Sequence, residues 1–169
     1  VREALASAQL NHMGVYASHT LSIVETEHSL ERNDEPSPTR SALLVRVCKS
    51  HLRIGTFQRL RYLNLTDEIA KLVEYSKNHL GFTSGESYAH WLSEVTERLA
   101  RTTAEWMLFG FVHGVLNTDN INITGETFDF GPYRFLPHFD PQFTAAYFDH
   151  QRLYAFGQQP QIMVWNLHQ

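Results

Sequence analysis

A chain of 169 residues that is 43% hydrophobic and 12% aromatic has apolar material for one core and is read as a single globular domain. Its net charge of -4 argues against a nucleic-acid partner held by overall positive charge, and no apolar run approaches the roughly 18 residues that a bilayer span needs. The single cysteine, Cys48, cannot form an intramolecular disulfide, no secretory leader is in view, and Val1 stands in place of Met, so a soluble, processed or partial chain of a reducing compartment is expected.

Residues 1–13 carry Val1, Leu5, Ala8 and His12/Met13 at helical spacing, with Gly14 as a stop, which predicts a helix. Glu3 falls about 200° round from Leu5 at 3.6 residues per turn, so it is expected to point away from the helix's own packing surface. Residues 21–25 and 42–48 are rich in Val, Leu and Ile and read as adjacent antiparallel strands, and the polar run HSLERNDEPSPTR between them has a hairpin loop's composition. Thr66 is placed as the cap of a helix over 66–80, with Asp67 and Glu68 in its first turn, Ile69, Leu72, Val73 and Leu80 on one side, and Gly81 at its end. A longer helix over 86–111 carries the stripe Tyr88, Trp91, Leu92, Val95, Leu99, Trp106 and Phe111. Its second half is apolar on nearly all sides, as in a central buried helix. Residues 121–123 and 127–130, joined through Gly125, read as a small hairpin with Asp129 at its far end. Beyond Gly131 the prolines at 132, 137 and 141 interrupt regular structure, and order resumes only over 154–165.

The strip HGVLNTDNINITGETFDFGP, residues 113–132, has the layout of a protein-kinase active site without its usual base. Kinase catalytic loops read H-R-D-x-x-x-x-N and are followed by D-F-G; the first Asp takes the substrate proton, while the Asn and the second Asp hold magnesium. Here Val115 stands at the catalytic Asp, Asn120 is where the Asn belongs, Asp119 directly precedes it, and Asp129-Phe130-Gly131 follows. An amide oxygen and a carboxylate can converge on one hard cation that keeps several waters, which makes Asn120 and Asp129 candidate ligands of Mg2+ or Mn2+. Either alone would equally suit a turn. Asp119 is a candidate base or a solvated loop carboxylate, and His113 is assigned to packing.

Charge is unevenly placed. Residues 36–66 hold Arg40, Arg46, Lys49, Arg53, Arg59 and Arg61 with no acid, whereas residues 102–150 hold Glu105, Asp119, Glu126, Asp129, Asp140 and Asp149 against Arg134 alone. Facing one cleft, the two blocks would suit a magnesium-bound polyphosphate; apart, they are solvated surfaces. Arg46 at a strand end and Arg53 in the following loop near Gly55 are the candidate phosphate contacts. His51 has no assignment, the other histidines lack a metal-binding spacing, and Cys48 has no partner, so no structural zinc is expected. Neither a Walker loop nor G-x-S-x-G occurs.

The segments VREAL, LVRVCKSHLRIGTF, HGVLNTDNINI, FDFGP and LYAFGQQPQIMVWNL stand in the order found in the selenoprotein O family. The chain resembles the middle of these atypical kinase-fold proteins, which transfer AMP from ATP to protein hydroxyls. The resemblance implies that Asp119 is the proton acceptor, that Asn120 and Asp129 are the metal ligands, and that Arg46 and Arg53 contact the ATP phosphates. It implies that Glu3 is the acid paired with the nucleotide-binding lysine and that Asp129 also belongs to the nucleotide site.

The implied fold is an α+β protein-kinase-like domain, with a partial small lobe over 1–62, a mostly helical large lobe over 63–169, and the site in the cleft between them. ATP is then the substrate, Mg2+ (or Mn2+) the cofactor, and proteins bearing Ser, Thr or Tyr hydroxyls the acceptors. No nucleic-acid or membrane partner is implied, and the location is cytoplasmic, or mitochondrial in a eukaryote. The family's glycine-rich loop, lysine strand and DGR segment precede the helix that contains REAL, and its redox-active cysteine or selenocysteine region follows, so this chain is read as a fragment without them. Gln158 stands where the family usually has Arg. Two other functions share the motif: phosphoryl transfer with Asp119 as the replacement base, and a non-catalytic pseudokinase binding module. The intact Asn120 and Asp129 pair speaks against the second.

Overall fold

Residues 1–31, 36–83 and 87–169 are described by a computed structural model, in which helices and small sheets mix in the expected α+β manner. The helices are α1 (Arg2–His12), α2 (Ile54–Tyr62), α3 (Thr66–His79), α4 (Tyr88–Phe109) and α5 (Gln159–Leu167). Strand β1 (His19–Leu30) pairs antiparallel with β2 (Thr39–Val47), and the two-residue strands β3 (Phe111–Val112) and β4 (Arg134–Phe135) form a second antiparallel pair.

Helix α1 buries a different face from the expected one. Ala6, Ser7 and Leu10 are buried while Val1 and Leu5 face solvent. Small side chains let the helix approach closely: the Ser7 hydroxyl donates to the Ser18 carbonyl, and Arg2 and Tyr133 exchange hydrogen bonds of 2.9 Å and 2.8 Å with each other's carbonyls. Glu3 lies one heptad before Leu10, about 20° away on a 3.6-residue helix. It therefore stands beside the buried face, with its side chain half-exposed, and not on the side opposite the packing surface as the Leu5 stripe implied.

The β1–β2 pairing is antiparallel as expected but longer, because the ladder continues from the apolar segments into the polar run. Residues 32–35, in the middle of that run, lie outside the described residues. Arg53 ends the loop after β2, as expected, but an unexpected helix, α2, opens directly behind it. Arg53 is its extended N-cap (φ -108°, ψ 157°), and only Ile54 and Gly55 are buried, which is why no apolar stripe announced it. Thr66 is the first residue of α3 and not its cap; Leu65 holds the cap position without a side-chain bond.

Helix α4 is capped by Ser87, whose hydroxyl accepts from the His90 N–H at 3.2 Å. The expected start at Glu86 lies outside the described residues. The helix stops at Phe109 because Gly110 takes left-handed backbone (φ 66°), a conformation that favours glycine, and Phe111 opens β3 instead. One face, Trp91, Val95, Leu99, Thr102, Thr103 and Trp106, is buried, while Leu92 and Leu108 are exposed, so α4 is not buried all round. Around that face gather Leu10, Val15, Ile54, Val73, Phe111, Leu116, Ile121, Ile123, Phe130 and Met163. Both buried indoles satisfy their N–H groups, Trp91 on Ser76 at 2.7 Å and Trp106 on Thr127 at 3.0 Å.

The hairpin expected over 121–130 does not form. Asn122 bridges antiparallel to Arg53, and Thr127 bridges in parallel to Ala17, so the two arms leave the Gly125 turn toward different partners. This places residues 121–127 between α2 on one side and the segment after α1 on the other. Helix α5, preceded by a 3-10 turn over Phe156–Gln158, falls where order was expected. No helix of the described residues is long and apolar enough to cross a membrane.

Candidate functional site

The strip begins at His113, which is buried to 1% exposure and held through its backbone N–H by Gln159 Oε1 at 2.9 Å. Its ring packs against Trp106 and Phe111, with centroid separations of 5.3 Å and 6.2 Å. Burial pushes the His113 pKa down to about 4, against a smaller upward pull from the Asp129 charge. The imidazole is neutral at ordinary pH and packs, as expected.

A pH prediction follows from that burial. Above pH 6.5 the imidazole is neutral whether folded or unfolded. As pH falls from 6.5 toward 4 the unfolded chain takes up the proton first, and stability on the order of 3 kcal/mol is expected to be lost across that window. Ring-proton NMR of the metal-free protein should show His113 untitrated at pH 5. A midpoint near 6.5 would contradict the burial argument.

The next residues form a 3-10 turn, Thr118–Asn120, locked by a reciprocal cap between Asn117 and Asn120. The Asn117 N–H donates to Asn120 Oδ1 at 3.2 Å, and the Tyr154 hydroxyl braces Asn117 Oδ1 from outside. The Asn120 amide is thereby aimed at Asp129, where its Nδ2 donates to Oδ2 at 2.7 Å. The other Asp129 oxygen accepts from the Gly131 N–H at 3.2 Å. Two side chains nine positions apart in sequence thus touch.

Both sequence-identified arginines reach the D-F-G strip. Arg46, near the end of β2, donates to the Phe128 carbonyl, ion-pairs with Glu3 at 3.1 Å, and holds its guanidinium 5.1 Å from the Phe130 ring centre. Arg53, at the N-cap of α2, holds its guanidinium 5.1 Å from the Phe128 ring centre. Each arginine therefore rests on one of the phenylalanines flanking Asp129, a ring contact that orients the guanidinium; the Arg46 charge is in addition paired with Glu3. The described partner of Glu3 is Arg46, placed there by the α1 face that packs inward. Asp119 lies against Gly55 in the first turn of α2, and its neighbour Thr118 donates to Gln58 Oε1 at 2.8 Å.

Phe128, Phe130, Gly55 and Gln58 were not identified from the sequence. The alternation F-D-F is the signal that could have found the two phenylalanines; Gly55 and Gln58 depend on α2, which left no periodic trace. His51, unassigned from sequence, sits with its ring edge against Phe128 and its Nε2 3.1 Å from Cys48 Sγ. A cavity of about 460 Å³ lined by Tyr16, Lys49, Arg98, Arg101 and Glu105, among others, has none of the candidate site residues in its walls.

Asn120 Oδ1, which here accepts from the Asn117 N–H while Nδ2 faces Asp129, and the Asp129 carboxylate are hard oxygen donors that together carry one negative charge. Among the described residues no group of three or more His, Cys, Asp or Glu side chains could hold a metal ion. A pair of oxygen donors fits a cation that takes few protein ligands and completes its shell with water and phosphate, the habit of magnesium.

The family model described as Protein adenylyltransferase SelO matches residues 1–169. The chain is 52% identical over 171 residues to Protein nucleotidyltransferase YdiU of Gloeobacter violaceus and 50% identical over 171 residues to that of Trichormus variabilis. To that of Pectobacterium atrosepticum it is 39% identical over 171 residues. In each case the match covers 99% of this chain and 35% of the relative, so the chain spans about a third of the length of the curated relatives it matches.

Proposed function

The chain belongs to the SelO family, and on that premise we propose that the full-length protein carrying it transfers AMP from ATP to Ser, Thr or Tyr hydroxyls of other proteins. The observation that carries this reading is the seating of Arg46 and Arg53 on the two phenylalanines beside Asp129. In ordinary phosphoryl transfer the terminal phosphate lies beside the catalytic base, and no arginine pair from the strand side of the cleft is needed there. Here two guanidiniums, each able to make bidentate contacts to phosphate oxygens, stand ready to hold the β- and γ-phosphates.

The residues act as follows. Asp119 takes the proton of the incoming hydroxyl as its oxygen bonds to the α-phosphorus. The bond from that phosphorus to the bridging oxygen breaks, and pyrophosphate leaves. Arg46 and Arg53 bind the leaving phosphates, and Glu3 fixes the direction of Arg46. Asn120 and Asp129 would hold Mg2+, or Mn2+ in its place, which when bound offsets phosphate charge. The α+β arrangement is taken as part of a protein-kinase-like domain, with residues 1–62 on the small-lobe side, 63–169 on the helical side, and the site between.

ATP labelled at the α-phosphate is expected to label protein when incubated with the full-length protein, and γ-label is not. Arg46→Glu or Arg53→Glu should suppress α-labelling by roughly 10-fold or more, because a carboxylate repels the phosphates that the guanidinium held. Transfer of γ-label with Arg46→Glu tolerated would establish phosphoryl transfer instead.

A further inference from the structure

We infer that Gly55 is a positioning residue for Asp119: the missing side chain at 55 is the space in which the Asp119 carboxylate rests. The inference rests on the reading of Asp119 as proton acceptor. A Cβ built on Gly55 would lie 2.0 Å from Asp119 Oδ1, 2.9 Å from its Cγ and 3.3 Å from its backbone nitrogen. These are its three nearest heavy atoms, and all belong to Asp119.

The contact is fixed from both directions. On the C-terminal side of Asp119, Arg53 and Asn122 form an antiparallel bridge, the Ile54 N–H donates to the Ile121 carbonyl at 3.1 Å, and the Ile123 N–H donates to the Leu52 carbonyl at 3.0 Å. On the other side Thr118 is tied to Gln58 at 2.8 Å. Strip and helix are therefore stitched together before and after Asp119, and its carboxylate comes down on the helix between the stitches.

Nothing in the helix itself asks for glycine. Position 55 lies inside the first turn of α2 without left-handed backbone, and alanine is the better helix former there. What a methyl group would displace is the end of the Asp119 side chain. That end can swing about its own bonds, so the expected result is a folded protein with its carboxylate turned away from the incoming hydroxyl.

The test uses the full-length protein and ATP labelled at the α-phosphate. Gly55→Ala is expected to lower kcat by roughly 10- to 100-fold, with the KM for ATP and the nucleotide affinity within about twofold of wild type. The double variant Gly55→Ala/Asp119→Ala should be no slower than Asp119→Ala within about twofold, because a residue that acts only through Asp119 has nothing left to disturb. Wild-type turnover in Gly55→Ala, or the same fold loss in both backgrounds, overturns the inference while leaving Asp119 as the base. Wild-type turnover in Asp119→Ala overturns the assignment of Asp119 and this inference with it. Should Gly55→Ala unfold, Asp119→Gly added to it must restore the melting midpoint; failure to do so places the clash elsewhere and also overturns the inference.

Discussion

Asp129→Ala is expected to abolish magnesium-dependent nucleotide binding in the full-length protein. Asp129 supplies the only negative charge of the proposed pair, and it is also the acceptor that holds the Asn120 amide at 2.7 Å. Without it the cation keeps a single neutral donor, and that donor has lost the contact that aimed it. A site with so few protein ligands cannot make up the loss from neighbours, since no larger acidic or histidine cluster stands nearby among the described residues. Calorimetric titration with ATP in excess Mg2+ should show affinity weakened by roughly 100-fold or more, and the difference between variant and wild type should close when the cation is chelated. Unchanged affinity in Mg2+ would remove Asp129 from the metal site.

Asp119→Ala is expected to behave in the opposite way, sparing nucleotide binding and cutting AMP transfer by roughly 10²–10⁴-fold, the range for a positioned acid or base. The two carboxylates are separated by what they touch. Asp129 faces Asn120 and the Gly131 N–H, whereas Asp119 lies against Gly55 on α2. Truncating Asp119 leaves the Asn120–Asp129 contact and both arginine seats in place, so the ground-state complex should form as before and only the proton transfer should fail. Single-turnover labelling beside equilibrium binding separates the two quantities. Equal loss of binding in both variants would make Asp119 a metal ligand and not the base.

How much of this was legible in the sequence depends on the range of the interaction. The 3.6-residue period located α3 and α4, and richness in Val, Leu and Ile on either side of a polar run located the β1–β2 pairing, because each of these signals is local. The H-x-x-x-x-x-D-N and D-F-G spacings identified Asn120, Asp129 and Asp119, and the structure brings Asn120 and Asp129 into contact. Helix α2 escaped because it buries only Ile54 and Gly55, and one residue pair has no period. The supposed hairpin over 121–130 failed for a related reason: one arm exchanges backbone hydrogen bonds with Leu52 and Ile54 and the other with Tyr16 and Ser18, far upstream in sequence, and nothing local records that choice. Glu3 was turned the wrong way because Val1 and Leu5 look like a core stripe, yet close approach of the helix favours Ala6 and Ser7.

The paired strands β1 and β2 carry a consequence for how this stretch behaves in water. Leu21, Ile23, Val24, Leu43, Val45 and Val47 are between 42% and 70% exposed, spread along a ribbon that has two strands among the described residues. A two-stranded ribbon has a free hydrogen-bonding edge on each side, and apolar side chains along such an edge make it a template onto which another copy can add. Handled as 169 residues in solution, the molecule therefore has its colloidal weak point on the ribbon, where charged side chains such as Glu25, Glu27 and Arg40 interrupt the apolar surface.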